Sequence, residues 1–163
     1  MGIHLSETEV WAEIEAAHTG IYTTLRSDGS PVSLPIWFVV AEQRIYVQTP
    51  GRSKKVSRIR RDHRGSFLVE RGEQWSELCA VMLPVATSEV ADEDELDSAA
   101  AAFDDKYRSF RPSSKVTSQA TKNAYSSMTL LRLQPAGPAL SWDNSRIRLN
   151  APSAEVDASS NAR

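Results

Sequence analysis

Cysteine, histidine and long apolar runs are scarce in this sequence of 163 residues. Its single cysteine, Cys79, excludes a disulfide framework within the chain. The three histidines lie far apart, at positions 4, 18 and 63, so the ligand spacing of a zinc site is missing and no bound metal is expected. Uninterrupted apolar runs, such as residues 36–41, reach only six residues. A membrane-spanning helix needs about 20 apolar residues, so no contact with a membrane is expected.

Signals for export and for several enzyme classes are also missing. The N-terminus has no basic segment followed by an apolar one, so we expect a cytoplasmic protein. The sequence contains no Gly-x-Ser-x-Gly nucleophile turn, no Gly-x-Gly-x-x-Gly dinucleotide motif and no Walker-type phosphate loop. Cys79 lies in an apolar strand pattern, where a buried and inert thiol is expected. No catalytic acid, base or nucleophile is predicted.

The residue pattern predicts an α+β domain with a mainly antiparallel split β-barrel and a few flanking helices. Ser6 and Glu9 form a capping-box pattern, and short links between the strands indicate antiparallel pairing. The predicted helices span residues 7–18, a short basic segment that begins after Ser53, and residues 93–107. The predicted strands span residues 21–26, 32–40, 45–49, 65–70, 74–83, 85–90, 128–134, 139–141 and 146–149. We expect one domain over residues 1–149 and a disordered tail over residues 150–163.

Positive charge is concentrated in one short segment. Residues 52–64 contain seven basic residues and one acidic residue, a local charge of +6 in a chain whose net charge is −2. Ser53 is placed as the N-cap of the basic helix, so its hydroxyl, the first helical amides and the Lys55 ammonium can meet on one phosphate group. A solvated basic surface is the alternative interpretation. No aromatic residues are interleaved for base stacking, and a nucleic-acid partner is therefore not expected.

Tryptophans near strand ends are candidates for contact with a planar ligand. Trp37 follows Pro35 and Ile36, and a proline within a strand indicates an edge or an opening beside a ligand. Trp75 and Trp142 also lie near predicted strand ends. Such rings can stack on a planar heterocycle, but packing in the core remains the alternative for each of them.

The order of these segments resembles the pyridoxamine 5′-phosphate oxidase-like family of flavin- or deazaflavin-binding split β-barrels. The resemblance covers about residues 7–90. The matching segments are Thr23-Thr24-Leu25-Arg26 with Asp28-Gly29, Pro35-Ile36-Trp37-Phe38, Ile45-Tyr46-Val47, Ser53-x-Lys55-Val56 and Arg60-Arg61-Asp62-His63-Arg64. It implies a homodimer with two cofactor sites at the subunit interface.

The resemblance also implies positions for the cofactor. Its phosphate is expected at the basic helix and the loop before it, and its ring beside the strand that ends at Trp37. Trp75 is expected to approach from the other subunit. The cofactor-binding residues carried over from the family are Pro35, Ile36, Trp37, Gln48, Thr49, Ser53, Lys55, Arg61 and Trp75.

The sequence departs from the family pattern in two ways. Relatives commonly have glycine where this chain has Pro84, so the hydrogen bonding there must differ. The substrate-binding arginine and histidine of true vitamin-B6 oxidases are not evident, so oxidation of pyridoxamine phosphate is not expected. The expected reaction is hydride transfer from reduced coenzyme F420, a deazaflavin, to a small unsaturated or quinone-like acceptor. An FMN oxidoreductase, or a protein that binds flavin, deazaflavin or haem without turnover, is the alternative.

Overall fold

The computed structural model describes residues 3–111, 118 and 127–147. Its helices are α1 (Glu7–Ala16), α2 (Lys54–Arg61) and α3 (Glu93–Tyr107). The strands are β1 (Gly20–Leu25), β2 (Pro31–Ile36), β3 (Phe38–Ala41), β4 (Arg44–Pro50), β5 (Arg64–Arg71), β6 (Cys79–Glu89), β7 (Met128–Pro135) and β8 (Leu140–Asp143). Single 3₁₀ turns cover Trp75–Glu77, Arg108–Phe110 and Asn144–Arg146. No helix in the described part of the chain has the length and apolar character needed to cross a membrane.

All eight strands join one curled antiparallel sheet that forms a half-barrel. The sheet order is β2-β1-β5-β6-β7-β4-β3, and β8 pairs with the first half of β6. Strands β2 and β3 therefore lie at opposite ends of the sheet, although Trp37 alone separates them in sequence. The α+β class and the antiparallel barrel architecture predicted from the sequence are confirmed.

The main core fills the concave side of the sheet, and a second buried cluster packs α3 against the other face of β3, β4 and β7. Alternate residues of each strand point inward, as in β5, where Phe67 and Val69 are buried and their neighbours are less so. Tyr22 of β1 and Leu83 of β6 pair with Phe67 from either side on the same face. Helix α1 adds Val10 and Ile14 to this cluster.

The helices begin at side-chain caps, and those at Ser6 and Ser53 are the predicted ones. The Ser6 hydroxyl accepts from the Glu9 amide while the Glu9 carboxylate accepts from the Ser6 amide, which is the predicted capping box. Ser53 caps α2, and Asp92 caps α3 by accepting from the Glu95 amide. Helix α1 ends at Ala16, two residues before the predicted end.

The prediction of one strand over residues 32–40 is wrong. The chain leaves the sheet at Trp37, so β2 pairs with β1 while β3 pairs with β4. The antiparallel pairing expected from the short links is present on both sides of the break, between β1 and β2 and between β3 and β4. Pro35 indicates an edge or an opening, but Ile36 and Phe38 on either side of Trp37 favour extended backbone, so the local pattern does not locate the break. The break arises because the two halves bind partners at opposite ends of the sheet.

The region around Pro84 also differs from the prediction of two strands, 74–83 and 85–90. Residues 75–77 form a 3₁₀ turn, and β6 runs without interruption from Cys79 to Glu89. The Pro84 carbonyl accepts from the Ala136 amide at 2.8 Å, on the side of β6 that faces away from β5. The Pro84 nitrogen faces the same side, in the gap between β8 and β7, so its missing N–H removes no bond to β5.

The predicted last strand over residues 146–149 is wrong where the structure describes it. Residues 144–146 form a 3₁₀ turn, which the Asp143 carboxylate caps by accepting from the Ser145 amide. Residues 148–149 and the predicted disordered tail, residues 150–163, lie outside the described residues. The division into one domain and a tail stays a prediction.

Candidate functional site

The start of α2 presents hydrogen-bond donors beside the end of β4. Ser53 Oγ accepts weakly from the Val56 amide at 3.4 Å and lies 3.3 Å from Thr49 Oγ1. The amides of Lys54 and Lys55 have no acceptor among the described residues. First-turn amides and the positive end of the helix dipole favour an anion, so the group is suited to bind a phosphate.

Lys55, in the first turn of α2, is the basic residue best suited to bind the same phosphate. Its side chain is half-buried, and its ammonium makes no hydrogen bond or ion pair within the described part of the chain. Burial, followed by repulsion from Arg58, lowers the pKa of Lys55. A bound anion would offset both effects. Lys54, the preceding residue, is exposed.

A cleft of about 500 Å³ opens between β2, β4, α2 and the end of α3. Six of the nine residues predicted to bind a cofactor line it: Pro35, Ile36, Trp37, Gln48, Thr49 and Lys55. Ser53 adjoins the lining through Thr49. The cleft thus combines an apolar wall with an unpaired ammonium, which fits a planar ring that carries a phosphate-bearing chain.

Tyr107 holds the aromatic wall of the cleft in place. Its ring stacks on Trp37 with centroids 4.5 Å apart and planes at 7°. The Tyr107 hydroxyl accepts from the Phe38 amide at 3.0 Å and lies 2.7 Å from the Phe38 carbonyl and 2.8 Å from the His18 carbonyl. Burial raises the pKa of Tyr107, which keeps this hydroxyl a donor. Tyr107 of α3 therefore holds the backbone at the break between β2 and β3.

Most of the other basic residues near α2 already have partners. Arg60 forms a two-bond ion pair with Glu89, and Arg64 forms one with Asp62. Arg58 donates to Thr24 Oγ1 at 2.8 Å, and Arg61 donates to the Leu25 carbonyl at 2.9 Å. Most of these contacts attach α2 to β1 and β6. Much of the positive charge in this segment therefore has a structural role.

Besides Ser53, two predicted residues lie outside the cleft lining. Arg61 is exposed and bound to the end of β1. Trp75 is 54% exposed, and its carbonyl accepts from Asn144 in the turn after β8. The predicted approach of Trp75 to a cofactor of the other subunit stays a prediction. Within the described residues, no group of histidine, cysteine, aspartate or glutamate could hold a metal ion.

Four residues of the lining were not predicted from the sequence: Pro50, Phe103, Arg111 and Met128. Phe103 and Tyr107 are four residues apart on the predicted helix 93–107, and that spacing marks a buried helix face. The spacing indicates packing but carries no information on what the helix packs against. Arg111 pairs with Asp104, which also gives no sequence signal of a ligand site.

Comparison with known proteins identifies related sequences and folds. Residues 6–137 match the family described as pyridoxamine 5′-phosphate oxidase. No protein of curated function matches the sequence.

Several solved structures share the fold. A conserved hypothetical protein from Mycobacterium tuberculosis aligns with a TM-score of 0.73 and 22% identity over 93% of this chain and 95% of that chain. An FAD-binding protein from Mycobacterium smegmatis aligns with a TM-score of 0.63 and 21% identity, over 85% and 97% of the two chains. A haem storage protein from Vibrio cholerae aligns with a TM-score of 0.61 and 15% identity, over 89% and 99%. At these identities the likeness establishes the fold.

Proposed function

The chain belongs to the pyridoxamine 5′-phosphate oxidase family, and on that basis we propose that it is an oxidoreductase that binds a phosphate-bearing flavin or deazaflavin in the cleft between α2 and Trp37. The finer proposal is transfer of a hydride from reduced coenzyme F420 to a small unsaturated or quinone-like acceptor. One observation carries the proposal: the half-buried Lys55 ammonium has no hydrogen-bond or ion-pair partner in the described chain and lines the same cleft as Trp37.

Each part of the cleft has a separate task in this proposal. Thr49, Ser53 and Lys55 bind the phosphate, while Ile36 and Trp37 orient the ring. The bound cofactor supplies the hydride chemistry. Phe103 and Met128 add apolar surface that limits the access of water. The described lining contains no carboxylate or imidazole, and solvent can supply the accompanying proton.

Unpaired charge near the phosphate site favours the deazaflavin. Arg52 and Lys54 are exposed beside Ser53, and neither forms an ion pair within the described residues. Together with Lys55 they can meet a chain that carries several anionic groups, as the phospholactyl-glutamate chain of F420 does. FMN is the alternative, which the FAD-binding proteins among the structural neighbours support.

A homodimer with cofactor sites near its interface is part of the proposal. Paired residues on the convex face of the sheet form an apolar row across five strands: Pro35, Ile21, Leu68, Met82 and Leu140. Ile21 and Leu140 are 37% and 58% exposed, although both are large and apolar. Pro35 belongs to this row and to the cleft lining, so a partner on the row would lie next to the cofactor.

Titration of the purified protein with F420 and with FMN tests the proposal. We expect F420 to bind more tightly. Lys55→Ala should weaken binding by about tenfold to a hundredfold, the usual effect of removing a charged hydrogen bond. Lys54→Ala, one residue away and exposed, should change affinity much less. Binding of neither cofactor, or equal affinity in Lys55→Ala and the wild type, would contradict the proposal. Tighter binding of FMN than of F420 would support the same site with FMN as its cofactor.

A further inference from the structure

Four rings next to the cleft form an aromatic cluster: His18, Trp37, Tyr107 and Phe110. The His18 imidazole contacts all three others, with centroid distances of 5.8 Å to Trp37, 5.2 Å to Tyr107 and 4.4 Å to Phe110. Trp37 belongs to this cluster and to the cleft lining, and Phe110 is followed by Arg111, which also lines the cleft. The cluster therefore extends the cleft wall to the surface.

Core packing explains the positions of Tyr107 and Trp37 in the aromatic cluster. It does not explain the positions of His18 and Phe110. Tyr107 is fully buried and covers one face of the Trp37 indole. Phe110 is 58% exposed, and His18 is exposed as well. The His18 ring nitrogens have no hydrogen-bond partner among the described residues, whereas the His18 carbonyl is held by Tyr107. An exposed phenyl ring and an unpaired imidazole are thus held side by side.

The chemistry of these two side chains defines a class of ligand. A phenyl ring attracts planar apolar groups. A neutral imidazole has one N–H donor in either tautomer, and that donor suits a carbonyl oxygen. The nearby cations are already engaged, since Lys106 donates to the Ala17 carbonyl and Arg111 pairs with Asp104. Neutral ligands are therefore favoured over anionic ones.

We infer that the aromatic cluster is the binding subsite of the acceptor, and that it selects a planar, uncharged ring with a carbonyl oxygen, as in a quinone. Phe110 packs on the ring and His18 donates to the oxygen, while Trp37 borders both this subsite and the cofactor cleft. The acceptor role rests on the proposed function. Binding of a quinone to the surface does not, and it is measurable without turnover.

The test is calorimetric titration of the protein with 2-methyl-1,4-naphthoquinone and with 2-methylnaphthalene, which has the same rings without the oxygens. Each titration is run with and without bound FMN or F420. The wild type should bind the quinone more tightly. Phe110→Ala should weaken both ligands by about tenfold, the upper range for one aromatic pair. His18→Phe should weaken the quinone alone, because it keeps the ring and removes the donor.

Matched variants separate the subsite from general effects on the surface. His63→Ala removes an exposed imidazole elsewhere, and Ile3→Ala removes exposed apolar surface elsewhere. Both should bind the quinone as the wild type does. Phe110→Ala and His18→Phe should unfold at nearly the wild-type temperature and retain cofactor affinity, which shows that the cleft is intact.

The outcomes distinguish this inference from the proposed function. If the wild type does not bind the quinone, or if Phe110→Ala and His18→Phe both bind it normally, the inference is wrong whatever the cofactor titrations give. If neither cofactor binds while the quinone binds and the variants respond as expected, the proposed function fails and the subsite stands. Equal loss of both ligands in His18→Phe would overturn the role of the His18 donor.

Discussion

At the scale of single residues, Glu9 connects the start of α1 to the end of the sheet. Its carboxylate accepts from the Ser6 amide and pairs with Arg146 in the turn after β8. The Ser6 amide first, and Arg146 second, lower the pKa of Glu9 from 4.5 to about 2. A carboxyl group with a lowered folded-state pKa stabilises the fold above its unfolded pKa, and this contribution disappears as the pH falls through the folded value.

Glu9→Gln should therefore unfold at a lower temperature than the wild type at pH 7, and this difference should shrink between about pH 4.5 and pH 2. Thermal unfolding at pH 7, 5, 3 and 2 measures it. Glu7→Gln is the matched control, because Glu7 lies in the same turn and makes no ion pair in the described chain. A difference that stays constant down to pH 2 would contradict the assignment.

Tyr107 gives a second prediction at this scale, on stability. Tyr107→Phe keeps the stack on Trp37 and removes the hydroxyl that accepts from the buried Phe38 amide. An unpaired buried amide costs about 1–3 kcal/mol, so the free energy of unfolding in urea should fall by that amount. Tyr46→Phe, whose hydroxyl donates to the partly exposed Glu95, should cost less. Equal losses in the two variants would show that Phe38 finds another acceptor.

At the scale of the elements, two N-caps distinguish an effect on the stability of the fold from an effect on cofactor binding. Ser53 and Ser6 both cap a helix with the hydroxyl, but only Ser53 lies beside Thr49 at the cleft. Ser53→Ala and Ser6→Ala should each lower the free energy of unfolding by about 1 kcal/mol. Only Ser53→Ala should also weaken cofactor binding. Urea unfolding and cofactor titration of both variants test this, and equal cofactor affinity in the two variants would remove Ser53 from the phosphate site.

Elements with local signals were predictable from the sequence. The starts of α1 and α2 follow from the caps Ser6 and Ser53, since caps act within one turn. The strand and helix that the family resemblance assigns to a cofactor meet at one cleft, which six of the nine carried-over residues line.

Features that depend on distant partners were not predictable. The break at Trp37 exists because β2 and β3 pair at opposite ends of the sheet. Pro35 indicates an edge or an opening, but it does not locate the break. Tyr107 reaches the Phe38 backbone across 69 positions of sequence. Pro84 suggested a strand end because proline lacks a donor, but its nitrogen faces a gap between two neighbouring strands, where no donor is needed.

At the scale of the whole molecule, the convex apolar row predicts the assembly. Ile21→Lys places a charge in the middle of the row, and we expect it to convert a wild-type dimer to a monomer. Ile3→Lys is the matched control, since Ile3 is 36% exposed and Ile21 is 37% exposed. Light scattering after size exclusion gives the mass of each. A monomeric wild type, or a dimeric Ile21→Lys, would contradict a dimer built on this row.

The position of β7 has a consequence for synthesis on the ribosome. Strand β4, which supplies Gln48 and Thr49 to the cleft, pairs with β7, and their partners Thr49 and Thr129 are 80 positions apart. A nascent chain that ends before Met128 can form the β3–β4 hairpin but leaves the other edge of β4 exposed. Contacts over such separations form late and slow folding. The cleft can therefore be completed only after β7 has emerged, and until then β4 is an open strand edge that favours misassembly.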